Sequence, residues 1–198
     1  DRAHLDPSPW ASITEFFLWG THHIFKGYDH IAFLLALLLV ATRVREVVTI
    51  VTAFTVAHSL TLLLAAFEVV RIPSRITEAL IAASIVYVAA DNLLRKRIAH
   101  RAVLTFAFGL VHGLGFAGEL RARLGELPGN TAVPVLSFNL GVELGQLALV
   151  LLIMPLLEVW RRAGGETGQH RRQGQLVRFG SLPILVLGIY WLVARMTE

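Results

Sequence analysis

Long apolar runs alternate with short polar connections along almost the whole chain. With roughly 20 residues needed per crossing, the runs near 28–42, 46–68, 75–95, 101–119, 132–159 and 178–195 predict about six membrane spans. The first run is short. Before it, Pro9-Trp10 and Phe16-Phe17-Leu18-Trp19 set aromatics in a mixed segment, the pattern of a helix lying in the interface or half inserted, because Trp favours the headgroup level. The expected fold is therefore all-α: a polytopic transmembrane helical bundle forming one domain over residues 1–198. It has an external polar lead at 1–9 and a polar, basic, cytoplasmic loop at 161–175 that touches anionic lipid. The last span, Leu182 to Ala194, carries no ionisable group and is expected only to pack.

The polar positions inside these runs carry the chemistry. Gly20-Thr-His-His-Ile-Phe-Lys-Gly-Tyr-Asp-His30 holds three imidazoles and a carboxylate at the start of the first run. On a straight helix His23 and His30 would share a face but stand ~10.5 Å apart, and Asp29 and His30 would diverge by about 100°. Joint ligation needs a distortion near Gly27, and glycine tolerates one. Without it, some of these groups bind and others support them. The second run sets Thr52, Thr55, His58 and Ser59 on one stripe, which predicts a face toward protein or water. The third carries Thr77, Ser84 and Asp91, with Glu78 one turn inside its outer end; Asp91 is expected to pair with Arg95. The fourth holds His112 beside Gly109 and Gly113, a small-xxx-small pattern that brings helices close. The fifth holds Asn139, Glu143 and Gln146 on one face, with Gly141 and Gly145. Ala53-Phe54-x-x-x-His58-x-Leu60 and Ala107-Phe108-x-x-x-His112-x-Leu114 match one another, which predicts two parallel helices with histidines at similar depth.

Composition strengthens the membrane reading: 55% of the 198 residues are hydrophobic and only 16% charged, with a mean hydropathy of +0.63. The net charge of +4 does not indicate a nucleic-acid partner here, because the basic residues sit between spans, where they report orientation. Arg43, Arg45, Arg95, Lys96, Arg97, Arg101, Arg161, Arg162, Arg171, Arg172 and Arg178 fall on the odd connections; Arg71, Arg75, Arg121 and Arg123 fall on the even ones. The expected placement is a bacterial inner membrane, with the odd connections cytoplasmic and both termini external. The chain begins at Asp1, which fits removal of an upstream signal segment or extracytoplasmic part.

Cysteine is absent and methionine limited to Met154 and Met196, which removes thiolate sites and disfavours Cu(I). His23, Asp29, His30 and Glu78 near the outer entrance, with His58, His112 and Glu143 deeper, are expected to line one outward-opening cavity. Such imidazole and carboxylate donors suit Ni²⁺, Co²⁺, Zn²⁺ or Fe²⁺. The structural alternative is a histidine bonded to a neighbouring helix, or, for Glu78, a carboxylate at a helix dipole. A metal-free proton relay is another alternative. His4, His22, Lys26, His100 and His170 are expected at the interface or in solvent.

Taken together, Gly20-x-x-His23-Ile24-x-x-Gly27-x-Asp29-His30, Thr52-Ala-Phe-Thr-Val-Ala-His58-Ser59, Glu78 with Ile81-Ala82 and Ser84-Ile85, Phe108-Gly-x-x-His112-Gly-Leu-Gly-Phe-Ala117 and Phe138-Asn-Leu-Gly-Val-Glu143-x-Gly-Gln146 resemble the HupE/UreJ group of bacterial membrane proteins, in particular its second subfamily. The resemblance implies a polytopic inner-membrane protein associated with nickel or cobalt, with His23, Asp29 and His30 as signature positions. The His-x₄-Asp-His signature of the larger nickel/cobalt permeases is echoed here as His-x₅-Asp-His.

Three readings follow. In the first, the chain is a Ni²⁺ or Co²⁺ transporter passing the ion from His23, Asp29 and His30 toward His58, His112 and Glu143. In the second, it is a membrane-embedded metal-dependent enzyme in which Glu143 or Glu78 is the general base. In the third, it is a sensor or partner subunit holding a structural ion. The expected partners are the metal ion and the lipid bilayer, with a second copy of the chain as a further candidate.

Overall fold

The computed structural model describes residues 9–94, 101–125, 132–163 and 165–197. Among them are seven helices in chain order: α1 (Pro9–Lys26), α2 (Tyr28–Leu38), α3 (Val44–Ala66), α4 (Ser74–Leu94), α5 (Arg101–Leu124), α6 (Ala132–Arg162) and α7 (Gly165–Thr197). Five of them are long and apolar enough to cross a membrane: α3, α4, α5, α6 and Gly168–Thr197 of α7. The all-helical polytopic bundle expected from the sequence is thus what forms. Its apolar core is studded with polar side chains and its outer surface is apolar, unlike that of a water-soluble bundle. His58, His112, Thr55, Asn92, Asn139 and Gln146 are buried, while Leu151, Val103, Phe179 and Leu140 stand outside. Hydrocarbon around the bundle makes that the stable arrangement.

Three helix pairs form the frame: α3 with α5, α1 with α6, and α4 with α7. In the first, Gly109 abuts the Phe54 backbone and Gly113 abuts His58 and Thr61. The two helices therefore advance together, as their internal match predicts. A Cβ at Gly113 would sit 2.5 Å from the His58 carbonyl oxygen, so only glycine permits this approach. α4 and α7 run antiparallel, with Glu78 near Arg195 at one end and Asn92 near Ser181 at the other.

The first expected span, near 28–42, is supplied by α2, whose 11 residues cover only about 16 Å, half of the hydrocarbon thickness. α1 precedes it and packs along α6. Glu15 of α1 meets Arg123 at the end of α5 at 3.2 Å, while the chain just after α2 meets Arg161 at the end of α6 through the Ala41 carbonyl, at 2.9 Å. In series, α1 and α2 run from one end of the bundle to the other, jogging at Gly27.

The expected 161–175 loop does not form. α6 continues to Arg162, and α7 begins at Gly165 and continues unbroken through Pro183. Arg161 is buried, donating to Gln173 Oε1 at 2.6 Å and to the Ala41 carbonyl, and Gln173 Nε2 donates to the Leu39 carbonyl at 3.0 Å. These side chains satisfy carbonyls freed where α2 ends. Thr52, expected on the polar stripe of α3, is exposed, whereas Thr55 and His58 are buried. Residues 1–8, including His4, and Arg95, Lys96, Arg97 and His100 lie outside the described residues, as does the expected Asp91–Arg95 pair.

Candidate metal centre

The jog at Gly27 brings together what a straight helix would separate. The His23 and His30 rings stand 4.6 Å apart, edge to face. Helical hydrogen bonds persist on both sides, from Gly27 N to His23 O at 2.8 Å and from Ile31 N to Gly27 O at 3.1 Å. A Cβ at position 27 would meet His30 Nδ1 and the His23 carbonyl, each at 2.8 Å, so the missing side chain makes the room. His30 is the shared ring: 5.2 Å from His112 and 6.1 Å from His58, with His58 also 6.3 Å from His23.

Aromatic residues wall the cluster. Phe54 stacks on His58 at 5.8 Å and also contacts His112 at 5.1 Å. Phe33, one turn after His30, lies 5.1 Å from His112 and 5.7 Å from Phe108. Phe116 and Phe138, stacked on one another, both contact His23. α2 thus inserts His30 and Phe33 between the two Phe-x-x-x-His segments of α3 and α5. The rings do not line an open outward cavity as expected: His58 and His112 are buried, at 0% and 1% exposure. Toward the Arg161 end, His30 borders a space of only about 10 Å³, closed by Leu34, Leu37, Ile50 and Val51, with Thr105 and Gln146 as its polar edges.

The nitrogens are mostly unpaired. His23 Nε2, both nitrogens of His30, both of His58 and His112 Nε2 are buried with no hydrogen-bond partner. Each such group costs on the order of 1–3 kcal/mol relative to a satisfied one. His112 is the exception at its other nitrogen, where Nδ1 lies 2.8 Å from the Phe108 carbonyl. A carbonyl only accepts, so Nδ1 carries the proton and Nε2 presents its lone pair to the cluster. Metal-bound histidines are oriented by the same bond.

Ring spacing also suits a common ion. An imidazole bound at the usual Zn–N distance has its centre about 3.2 Å from the metal, which sets two tetrahedral neighbours about 5 Å apart. As the side chains stand, however, no three His, Asp or Glu groups among the described residues have donors placed to hold one ion. Ring rotations would be needed.

The carboxylates lie apart from the imidazoles. Asp29 turns away from His30, as neighbours on a helix must, and accepts from Arg195 Nη2 at 2.7 Å. Arg195 also donates to the Glu78 carbonyl at 3.0 Å and lies 3.9 Å from its carboxylate. Asp29 and Glu78 therefore meet over an arginine. Glu143 is half-buried on α6, and no described contact ties it to the rings. Its neighbours do pack inward: Gln146 accepts from Thr55 Oγ1 at 2.9 Å, and Asn139 is buried. His22, Lys26 and His170 are exposed, as expected. Arg195 is the residue that sequence reasoning missed. It lies one position beyond the apolar run Leu182 to Ala194, at the end expected to be poor in basic residues, and that misplacement was the available signal.

These features define a multi-pass helical membrane protein with a buried imidazole cluster beside a carboxylate–arginine pair. A family model described as HupE / UreJ protein matches residues 1–195, and the chain belongs to that family of nickel/cobalt-associated membrane proteins. No curated protein and no solved structure matches the chain.

Proposed function

We propose that this chain moves a divalent cation, Ni²⁺ or Co²⁺, across the membrane, with His23, His30, His58 and His112 as the station where the cation sheds water for nitrogen. The observation that supports this most directly is the set of six buried ring nitrogens with no partner among four imidazoles. Imidazole without thiolate favours Ni²⁺, Co²⁺, Zn²⁺ or Fe²⁺ over soft ions, and the family's association with nickel and cobalt supports those two. Asp29 and Glu78, at the end where Arg195 sits, are suited to draw a hydrated cation inward. Glu143 lies on the helix that carries Gln146, on the way past the cluster. Cells expressing the chain should accumulate radioactive nickel or cobalt, and His58→Ala or His112→Ala should abolish the gain. Uptake untouched by either substitution overturns the proposal.

The closed floor beneath His30 favours a second reading, a site that holds a metal without passing it on. In that reading the chain is a membrane-embedded metal-dependent enzyme of hydrolytic type, with the ion as Lewis acid and Glu143 or Glu78 as base. The two readings part in sealed vesicles containing the pure protein. Metal that binds tightly, through the same histidines, yet never crosses into the lumen favours the enzyme.

A further inference from the structure

At the opposite end of the bundle from Arg195, a second concave site opens between α3, α5 and α7. Its volume is about 1620 Å³, and Arg43, Arg45, Arg101 and Arg178 line it together with His170. Among the described residues Glu46 is its one acidic side chain. The arginines come from the starts of α3 and α5 and from α7, residues distant in sequence that the fold gathers. Arg43, Arg45 and Arg178 are exposed, and among the described residues none of the three is in an ion pair. The helix α3 also begins here, with Arg43 as its N-cap and no side-chain cap hydrogen bond, so its free N–H groups add positive potential.

Beside these charges and the polar Thr42, Thr49, Asn92 and Gln173, the site has an apolar, outward-facing edge. Leu94 is 84% exposed and Leu182 52% exposed, and both border the cavity. A soluble anion would have no use for such walls, whereas a phospholipid presents a phosphate to the arginines and acyl chains to the leucines. Basic pockets between membrane helices bind anionic headgroups on this principle.

The geometry points to a specific binding site for the phosphate of an anionic phospholipid, held by Arg43, Arg45, Arg101 and Arg178 at the basic end of the bundle. It is separate from the imidazole cluster and does not depend on the metal reading. Seated there, the lipid would tie α3, α5 and α7 together at the end where the chain is richest in arginine.

The test is native mass spectrometry of the full chain released from micelles containing equal phosphatidylglycerol and phosphatidylcholine. Phosphatidylglycerol should be retained about tenfold or more over phosphatidylcholine. Arg43→Ala, Arg45→Ala and Arg178→Ala should each lower retention about fivefold. Glu46→Gln should raise it, a gain that misfolding does not produce, and Arg71→Ala at the other end should leave it unchanged. Equal retention of the two lipids, or retention indifferent to both the arginine and Glu46 substitutions, overturns the proposal. Displacement of phosphatidylglycerol by millimolar inorganic phosphate, with phosphate itself then bound, assigns the site to a soluble anion and overturns the lipid.

Discussion

His58 is fully buried against Phe54 with neither ring nitrogen bonded, so in the absence of metal it weakens the fold that contains it. A structural histidine does the opposite. His58→Leu, close to histidine in volume, removes the unpaired nitrogens, and the metal-free protein should unfold in micelles at an equal or higher midpoint, by up to about 1–3 kcal/mol. Ni²⁺, if it binds only the native state, should raise the midpoint of the parent, and that rise should vanish in the variant. A midpoint lowered by an amount typical of a lost buried hydrogen bond would make His58 a structural residue. Arg195 and Asp29 make a complementary case, a pair whose charges are both partly shielded. Arg195→Gln and Asp29→Asn should each lower the midpoint, and the double variant should fall by clearly less than the sum. Additive losses would mean the 2.7 Å contact contributes nothing. The four histidines could be read from sequence because ionisable groups are conspicuous inside apolar runs. Arg195 offered only its place at the arginine-poor end, since an arginine ending such a run ordinarily snorkels to the interface, and only the fold places it over Asp29.

At the scale of elements, backbone approach decides where the rings go. Gly27 and Gly113 lie where a side chain would strike His30 or the His58 backbone, whereas Gly118 has nothing within 4 Å of its would-be Cβ. Gly113→Val should cost 1–3 kcal/mol or more through overpacking and lose nickel binding, although no ligand is touched. Gly27→Val should spare more stability, because what its side chain meets across the joint is the His30 ring, which can turn, but it should separate His23 from His30 and weaken nickel binding as well. Gly118→Ala should be silent in both assays, and a silent Gly113→Val would refute the close packing of α3 on α5. The parallel pairing was foreseeable from the Phe-x-x-x-His match. The jog at Gly27 was foreseeable only as a possibility, because glycine permits a bend without setting its direction; that is set by α1 packing on α6 while α2 packs on α4. The helix through 165–177 was hidden for a different reason. Its Gly, Gln and Arg residues report that the segment meets water, and a helix that leaves the bilayer looks like a loop on that measure.

At the scale of the molecule, the two ends differ in kind. One end gathers Arg43, Arg45, Arg101, Arg161, Arg171 and Arg178; the other holds Glu15, Glu78 and Asp29, with Arg123 and Arg195 paired to them. The excess of arginine predicts that the first end is cytoplasmic, and the absence of cysteine makes that prediction directly measurable. Arg71→Cys and Arg171→Cys, each the sole thiol in its chain, both fall on exposed positions. In intact cells a membrane-impermeant maleimide should label Arg71→Cys and spare Arg171→Cys until the membrane is opened. The outcome also bears on the direction of traffic. On the transport reading, with Asp29 and Glu78 facing outward, a cation would reach the carboxylates first, His30 next, and the narrow space above Ile50 last, which is the order for uptake. Labelling of Arg171→Cys instead would place the imidazoles within reach of the cytoplasm, and the same residues in the same order would then serve export.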